Sequence, residues 1–291
     1  MTRHRFAWFA IIWVILLTGS ATAESVLDRI ARTGILSAGT RDDAPPFAFR
    51  DAQGHLVGFS VDLIEEVRKA LAQQLKRDIR TETLVVSPAT RMAVIEGRQA
   101  DLVCETGTET WPRQQQVDFS LPIFRDGTRV LTYRDRIDGA SDLHNMRIGI
   151  LDGGITGEIL QKKLHDVKLV SYPNAPAALN ALESGTVDGV ANVGIVLRGM
   201  MLQATKRQGL VIVPRGEALG HETIACMLPQ NDSKWLNFVN GVFRDLFRGI
   251  DEYRGRYVEI YNRWFGRDAD ITYPLDDRTV QFFLATLVWL N

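Results

Sequence analysis

The sequence predicts an α/β protein built as two similar lobes, each a parallel sheet covered by helices. Short strand-like apolar runs alternate along the chain with amphipathic helical patterns, the alternation that builds such sheets. A helix, glycine turn and strand then recur 87 residues downstream. Finally, removing an N-terminal segment of 23 from the 291 residues leaves enough chain for one large or two medium α/β domains.

That first segment opens on Arg3, His4 and Arg5, continues through an apolar run at 6–17 and ends in Ser20, Ala21, Thr22 and Ala23. This is the anatomy of a secretory signal peptide, with cleavage expected after Ala23. The apolar run is shorter than the roughly 20 residues a spanning helix needs. A strand at 35–40 follows, then a helix at 60–76 with Leu63, Ile64, Val67, Leu71 and Leu75 on one face. In the next helix Ser87 caps, Pro88 occupies the first turn and Gly97 closes it before a strand at 100–104.

The recurrence joins PATRMAVIEGRQADLVCE, residues 88–105, to APAALNALESGTVDGVAN, residues 175–192. At this offset Glu96 falls on Glu183, Asp101 on Asp188 and Val103 on Val190. Two lobes from one duplicated unit imply a cleft between them, where small-molecule sites concentrate. Toward the C-terminus, Trp235, Phe238, Val239, Val242 and Leu246, then Tyr253, Tyr257, Ile260, Tyr261 and Trp264, form an aromatic stripe at helical spacing that reads as core. The last apolar stretch, 280–290, is interrupted by Gln281 and Thr286 and reads as a packed terminal helix.

Charged content of 24% and a net charge of -1 exclude a basic nucleic-acid binder. Cys104 and Cys226, an even pair in an exported chain, favour one disulfide over two separate buried thiols. There is no GxSxG, phosphate loop, HExxH or CxxC, and the five histidines are scattered. No cofactor or metal is therefore expected. What remains is a polar segment directly after the strand ending at Cys104, ETGTETWPRQQQVDFSLPIF. Ligands bind beyond the carboxyl ends of parallel strands, which places Thr106, Thr108 and Arg113 as carboxylate donors. In the second lobe DGGITGEIL follows the strand at 146–151, offering Gly154 and Thr156 at a helix N-terminus suited to an anion.

These segments, with LDRIARTGILSAGTRDDAPPFAF, GHLVGFSVDLIEEV and LESGTVDGV, resemble the family 3 extracellular solute-binding proteins of polar amino acid ABC transporters, closest to the glutamate/aspartate branch. The resemblance implies a type II periplasmic binding protein-like fold, with hinge crossings near 131–136 and 219–226. Its domains would be a first lobe at 24–133, a second at 134–222 and a return to the first at 223–291. It implies a periplasmic, monomeric receptor that hands an amino acid or related small carboxylate to an ABC transporter permease. Arg113 would pair with the ligand α-carboxylate, helped by Thr106, Thr108 and Thr156, and Arg41 with an acidic side chain. At the usual ammonium-binding Asp this chain carries Val193, leaving Asn192 as the nearest polar group. Ala175 falls near the position that reads the side chain from the second lobe. The alternatives are a periplasmic cyclohexadienyl dehydratase-like enzyme using Glu105 or Glu109 as acid, and a sensor partner of a membrane kinase.

Overall fold

Ile35–Thr40 (β1) starts the main sheet after helix Val26–Thr33 (α1), and its alternating buried positions fix which face meets the core. Asp43–Ala44 (β2), Ala48–Arg50 (β3) and Leu56–Val57 (β4) make a small separate sheet. Phe59–Leu75 (α2) follows, then Arg80–Val85 (β5), Arg91–Glu96 (α3), Leu102–Val103 (β6) and Trp111–Gln114 (α4). The long strand Asp118–Thr132 (β7) leads into Arg147–Leu151 (β8), Thr156–Lys163 (α5), Lys168–Tyr172 (β9), Ala175–Glu183 (α6), Gly189–Val193 (β10) and Gly194–Gln203 (α7). Val211–Val213 (β11), Gly220–Leu228 (β12), Ser233–Leu246 (α8), Arg256–Phe265 (α9) and Asp277–Leu287 (α10) complete the chain. This is a computed structural model, which describes residues 24–134, 136–137, 139–164 and 166–287. The expected signal peptide lies outside the described residues, and no described helix is long and apolar enough to cross a membrane.

The main sheet runs β5-β1-β6-β12-β7-β10-β8-β9, with β11 also on β7. It is two lobes joined through shared strands. In the first, β5, β1 and β6 are parallel and β12 closes antiparallel on β6. In the second, β9, β8 and β10 repeat that parallel order and β7 closes antiparallel on β10. The aligned aspartates explain why the repeat is visible in sequence. Asp101 N–H donates to Ser37 O and its carboxylate accepts from Ser37 N–H. Asp188 makes the same reciprocal pair with Arg147. Each ties the start of a lobe's third parallel strand to its first.

Strand β7 pairs with β12 up to Thr128 and with β10 from Thr128 onward, and β12 meets it at Gly220. The two strands cross between lobes here, at very close approach. A Cβ on Gly127 would lie 2.3 Å from Gly220 O. Asp126 braces the crossing, accepting from Ile195 N–H of α7 at 2.6 Å and from the Tyr273 hydroxyl at 3.2 Å.

The first-lobe core gathers Phe47, Phe59, Phe124, Tyr257, Tyr261 and Phe265, largely in edge or tilted ring contacts. The predicted aromatic stripe is thus core at Trp235, Tyr257, Ile260 and Tyr261, while Tyr253 is exposed. Cys104 and Cys226 form a disulfide linking the end of β6 to β12. The start of one helix differs from expectation. Helix α3 starts at Arg91, not Ser87, because the Thr90 hydroxyl accepts from Ser87 N–H at 3.0 Å and sets a turn ahead of the helix. The terminal helix is α10, which the described residues follow to Leu287.

Candidate functional site

A cavity between the lobes is lined by Arg41, Pro88, Arg91, Thr106, Thr108, Leu151, Gly154, Ile155, Thr156, Asn192, Val193 and Glu222. Its first-lobe wall comes from residues just beyond the carboxyl ends of β1 and β6, and its second-lobe wall from the ends of β8 and β10. This is where parallel sheets present ligand groups. The free space is about 20 Å³, room for little more than a water molecule, so seating an amino acid requires the lobes to part. A larger hollow of about 660 Å³ lies on the outer surface between α2 and α8, edged by Lys69, Gln73, Gln74 and Asn237.

Six of the seven predicted ligand residues, Arg41, Thr106, Thr108, Gly154, Thr156 and Asn192, line this cavity. Arg113 stands at its edge, donating to Thr108 O at 2.7 Å and, across the cleft, to Gly153 O at 2.9 Å. Burial, followed by the repulsion of neighbouring Arg91, pulls its guanidinium down to about 10, still cationic at neutral pH. Arg41 is 2% exposed. Its Nε donates to Asp43 at 2.7 Å and one Nη reaches Thr106 Oγ1 at 3.5 Å, while Nη2 has no partner among the described residues. The Asp43 carboxylate also accepts from Ala175 N–H across the cleft at 3.1 Å. Burial pushes Asp43 up, but Arg41 and these N–H donors outweigh it, leaving the carboxyl below its usual range.

Sequence reasoning missed Arg91 and Glu222. Arg91 and Glu105 form a buried pair at 2.5 Å, and Glu105 also accepts from Thr106 Oγ1 at 3.1 Å. A cation at the start of a short helix resembles a surface charge until β6 brings Glu105 beside it. Glu222, 2% exposed, accepts from Thr108 Oγ1 at 2.6 Å and from the Thr128 hydroxyl. The available signal was a carboxylate just ahead of the apolar run Ile224 to Leu228. Burial holds Glu222 above the usual carboxylate range, with nearby Asp126 adding to the rise and the threonine donors and Arg113 opposing it.

Two outcomes follow from this geometry. Because its folded pKa is raised, Glu222 takes up protons on folding, and the stability it confers below the unfolded carboxylate range is lost as pH rises through the folded value. Glu222→Gln is therefore expected to raise the melting temperature at neutral pH, with the gain disappearing near pH 4 in thermal scans. Gly153 has φ +73, and a Cβ there would lie 2.5 Å from Pro88 O and 2.6 Å from Ala89 Cα on the facing lobe. Gly153→Ala is expected to hold the lobes apart and weaken ligand binding by roughly tenfold or more, because the collision is with backbone and the left-handed conformation costs extra. Small-angle scattering with and without ligand would show closure failing.

Residues 36–267 match the profile of the bacterial extracellular solute-binding proteins, family 3. The glutamate/aspartate import solute-binding protein of Salmonella typhimurium is 26% identical over 279 residues, 92% of this chain and 90% of that one. The L-glutamate/L-aspartate-binding protein of Pseudomonas aeruginosa is 27% identical over 261 residues, covering 86% and 84% of the two chains. An ancestral arginine-binding protein bound to glutamine superposes with a TM-score of 0.71 at 28% identity, over 80% of this chain and 99% of that one. A match across most of the chain, on a two-lobed fold with its cavity between the lobes, makes this protein a member of family 3 of the bacterial extracellular solute-binding proteins.

Proposed function

We propose that the protein is a periplasmic receptor that binds an acidic amino acid, or a related small dicarboxylate, and presents it to an ABC transporter permease. The observation that carries this reading is Arg41, a fully buried guanidinium on the cavity wall whose Nη2 has no protein partner among the described residues. A buried guanidinium with open donors is matched by a carboxylate. Arg113 supplies a second cation at the edge of the cavity, and Thr156 supplies a hydroxyl from the second lobe. The relatives that bind glutamate and aspartate support the same ligand class.

Binding without turnover is part of the reading. Glu105 is held as an acceptor by Arg91 and Thr106, and Glu109 accepts from Gln114. Both carboxylates that the sequence offered as a dehydratase acid are thus engaged. Export through the N-terminal signal brings the receptor to the periplasm, and closure of the lobes on the ligand forms the surface the permease reads.

The test is a thermal-shift screen of the chain from Glu24 against the standard amino acids and their deaminated analogues, followed by calorimetry. An acidic amino acid or dicarboxylate at about 100 times its Kd is expected to add about 2.7 kcal/mol of stability. No shift with any of these compounds, or conversion of prephenate or arogenate, would overturn the reading.

A further inference from the structure

We infer that Glu222, on the hinge strand β12, is the counter-charge for the ligand's ammonium group. This rests on the amino acid reading above and adds the residue that would distinguish an amino acid from its deaminated analogue.

The first support is location. Glu222 is buried and lines the same cavity as Arg41, Thr106, Asn192 and Val193. The second is that the other acceptors around the cavity are engaged. Asp43 is bonded to Arg41 and Ala175 N–H, Glu105 to Arg91 and Thr106, and Asn192 Oδ1 accepts from Val193 N–H at 2.8 Å. Glu222 instead holds two threonine hydroxyls and makes no salt bridge among the described residues. A buried carboxylate without a cation in contact is costly, and an ammonium entering the cavity would relieve that cost.

The third support is register. Thr128 is the cross-strand partner of Val193 on β10 and of Gly220 on β12. Glu222, two residues on from Gly220, reaches the Thr128 hydroxyl. Its carboxylate is thereby anchored to the residue paired with Val193, where the second lobe itself supplies only an apolar side chain. Thr108 Oγ1, having given its proton to Glu222, keeps lone pairs that can accept from the same ammonium. The dipolar ligand would lie with its carboxylates toward Arg41 and Arg113 and its amine toward the hinge.

Calorimetry with L-glutamate and glutarate, and with L-aspartate and succinate, tests this on the chain from Glu24. The unmutated protein is expected to prefer the amino acid by about 30-fold or more, the loss typical of unpairing one buried charge. Glu222→Gln should remove most of that preference while leaving the dicarboxylate affinity nearly unchanged, and Val193→Asp in the same chain should restore it. Glu222→Ala is read in the same way should the glutamine variant not fold. Equal affinities in the unmutated protein, or a preference that survives in a folded Glu222 variant, would overturn the inference and leave the receptor reading standing. An unmutated protein that binds none of the four compounds would overturn both.

Discussion

Arg41→Ala is expected to weaken binding of an acidic ligand by about 30-fold to several thousand-fold, the range for leaving one member of a buried charge pair unmatched. The loss should be much smaller for a neutral amino acid, because the proposed function gives Arg41 the side-chain carboxylate and Arg113 the α-carboxylate. Arg113→Ala should therefore weaken both ligand types together. The folded protein should tolerate Arg41→Ala, since it removes a buried cation whose Nη2 has no partner among the described residues. Asp43 keeps its Ala175 donor but loses the guanidinium that holds its carboxyl low. Calorimetry on the two variants with L-glutamate and L-glutamine decides the assignment. Equal losses for both ligands in Arg41→Ala would detach Arg41 from the side chain.

Removing the disulfide is expected to cost about 2–5 kcal/mol, because Cys104 and Cys226 close a loop with a separation of 122 residues. For a protein of this size that is a fall in melting temperature of roughly 4–9 °C. Both sulfurs belong to fully buried residues, so the Cys104→Ala, Cys226→Ala double variant is a cleaner probe than a reductant. Thermal unfolding without ligand is the measurement, and a fall of less than about 2 °C would show that the bridge adds little. Ligand affinity should fall as well, since Cys104 lies two residues before Thr106 on the cavity wall.

What was legible in the sequence was whatever depends on neighbours close along the chain. The face of α2 follows from the spacing of Leu63, Ile64, Val67 and Leu71. The duplicated lobe shows because Asp101 and Asp188 each serve the same reciprocal backbone bond. The polar segment after β6 was readable because ligand groups gather at strand carboxyl ends. Other features depend on contacts between distant segments. Glu222 becomes part of the site only when β12 lies along β7, which brings it to Thr108, 114 residues away in sequence. Arg91 joins the site through Glu105, and the small sheet of β2, β3 and β4 has strands of only two or three residues, too short for any periodicity to register.

The close glycine crossing of β7 and β12 bears on how affinity is set. Opening and closing must twist two paired strands about Gly127 and Gly220, whose backbones leave no room for a Cβ between them. The cost of twisting that crossing, together with the bonds across the cleft from Arg113 to Gly153 O and from Ala175 N–H to Asp43, sets what fraction of molecules is closed before any ligand arrives. Apparent affinity is the intrinsic affinity multiplied by this fraction. A hinge change thus rescales binding of every ligand by one common factor, whereas a change at Arg41 or Glu222 alters their ranking. Evolution of such a receptor can therefore tune sensitivity to ambient concentration at the hinge while leaving the choice of cargo to the walls of the cleft.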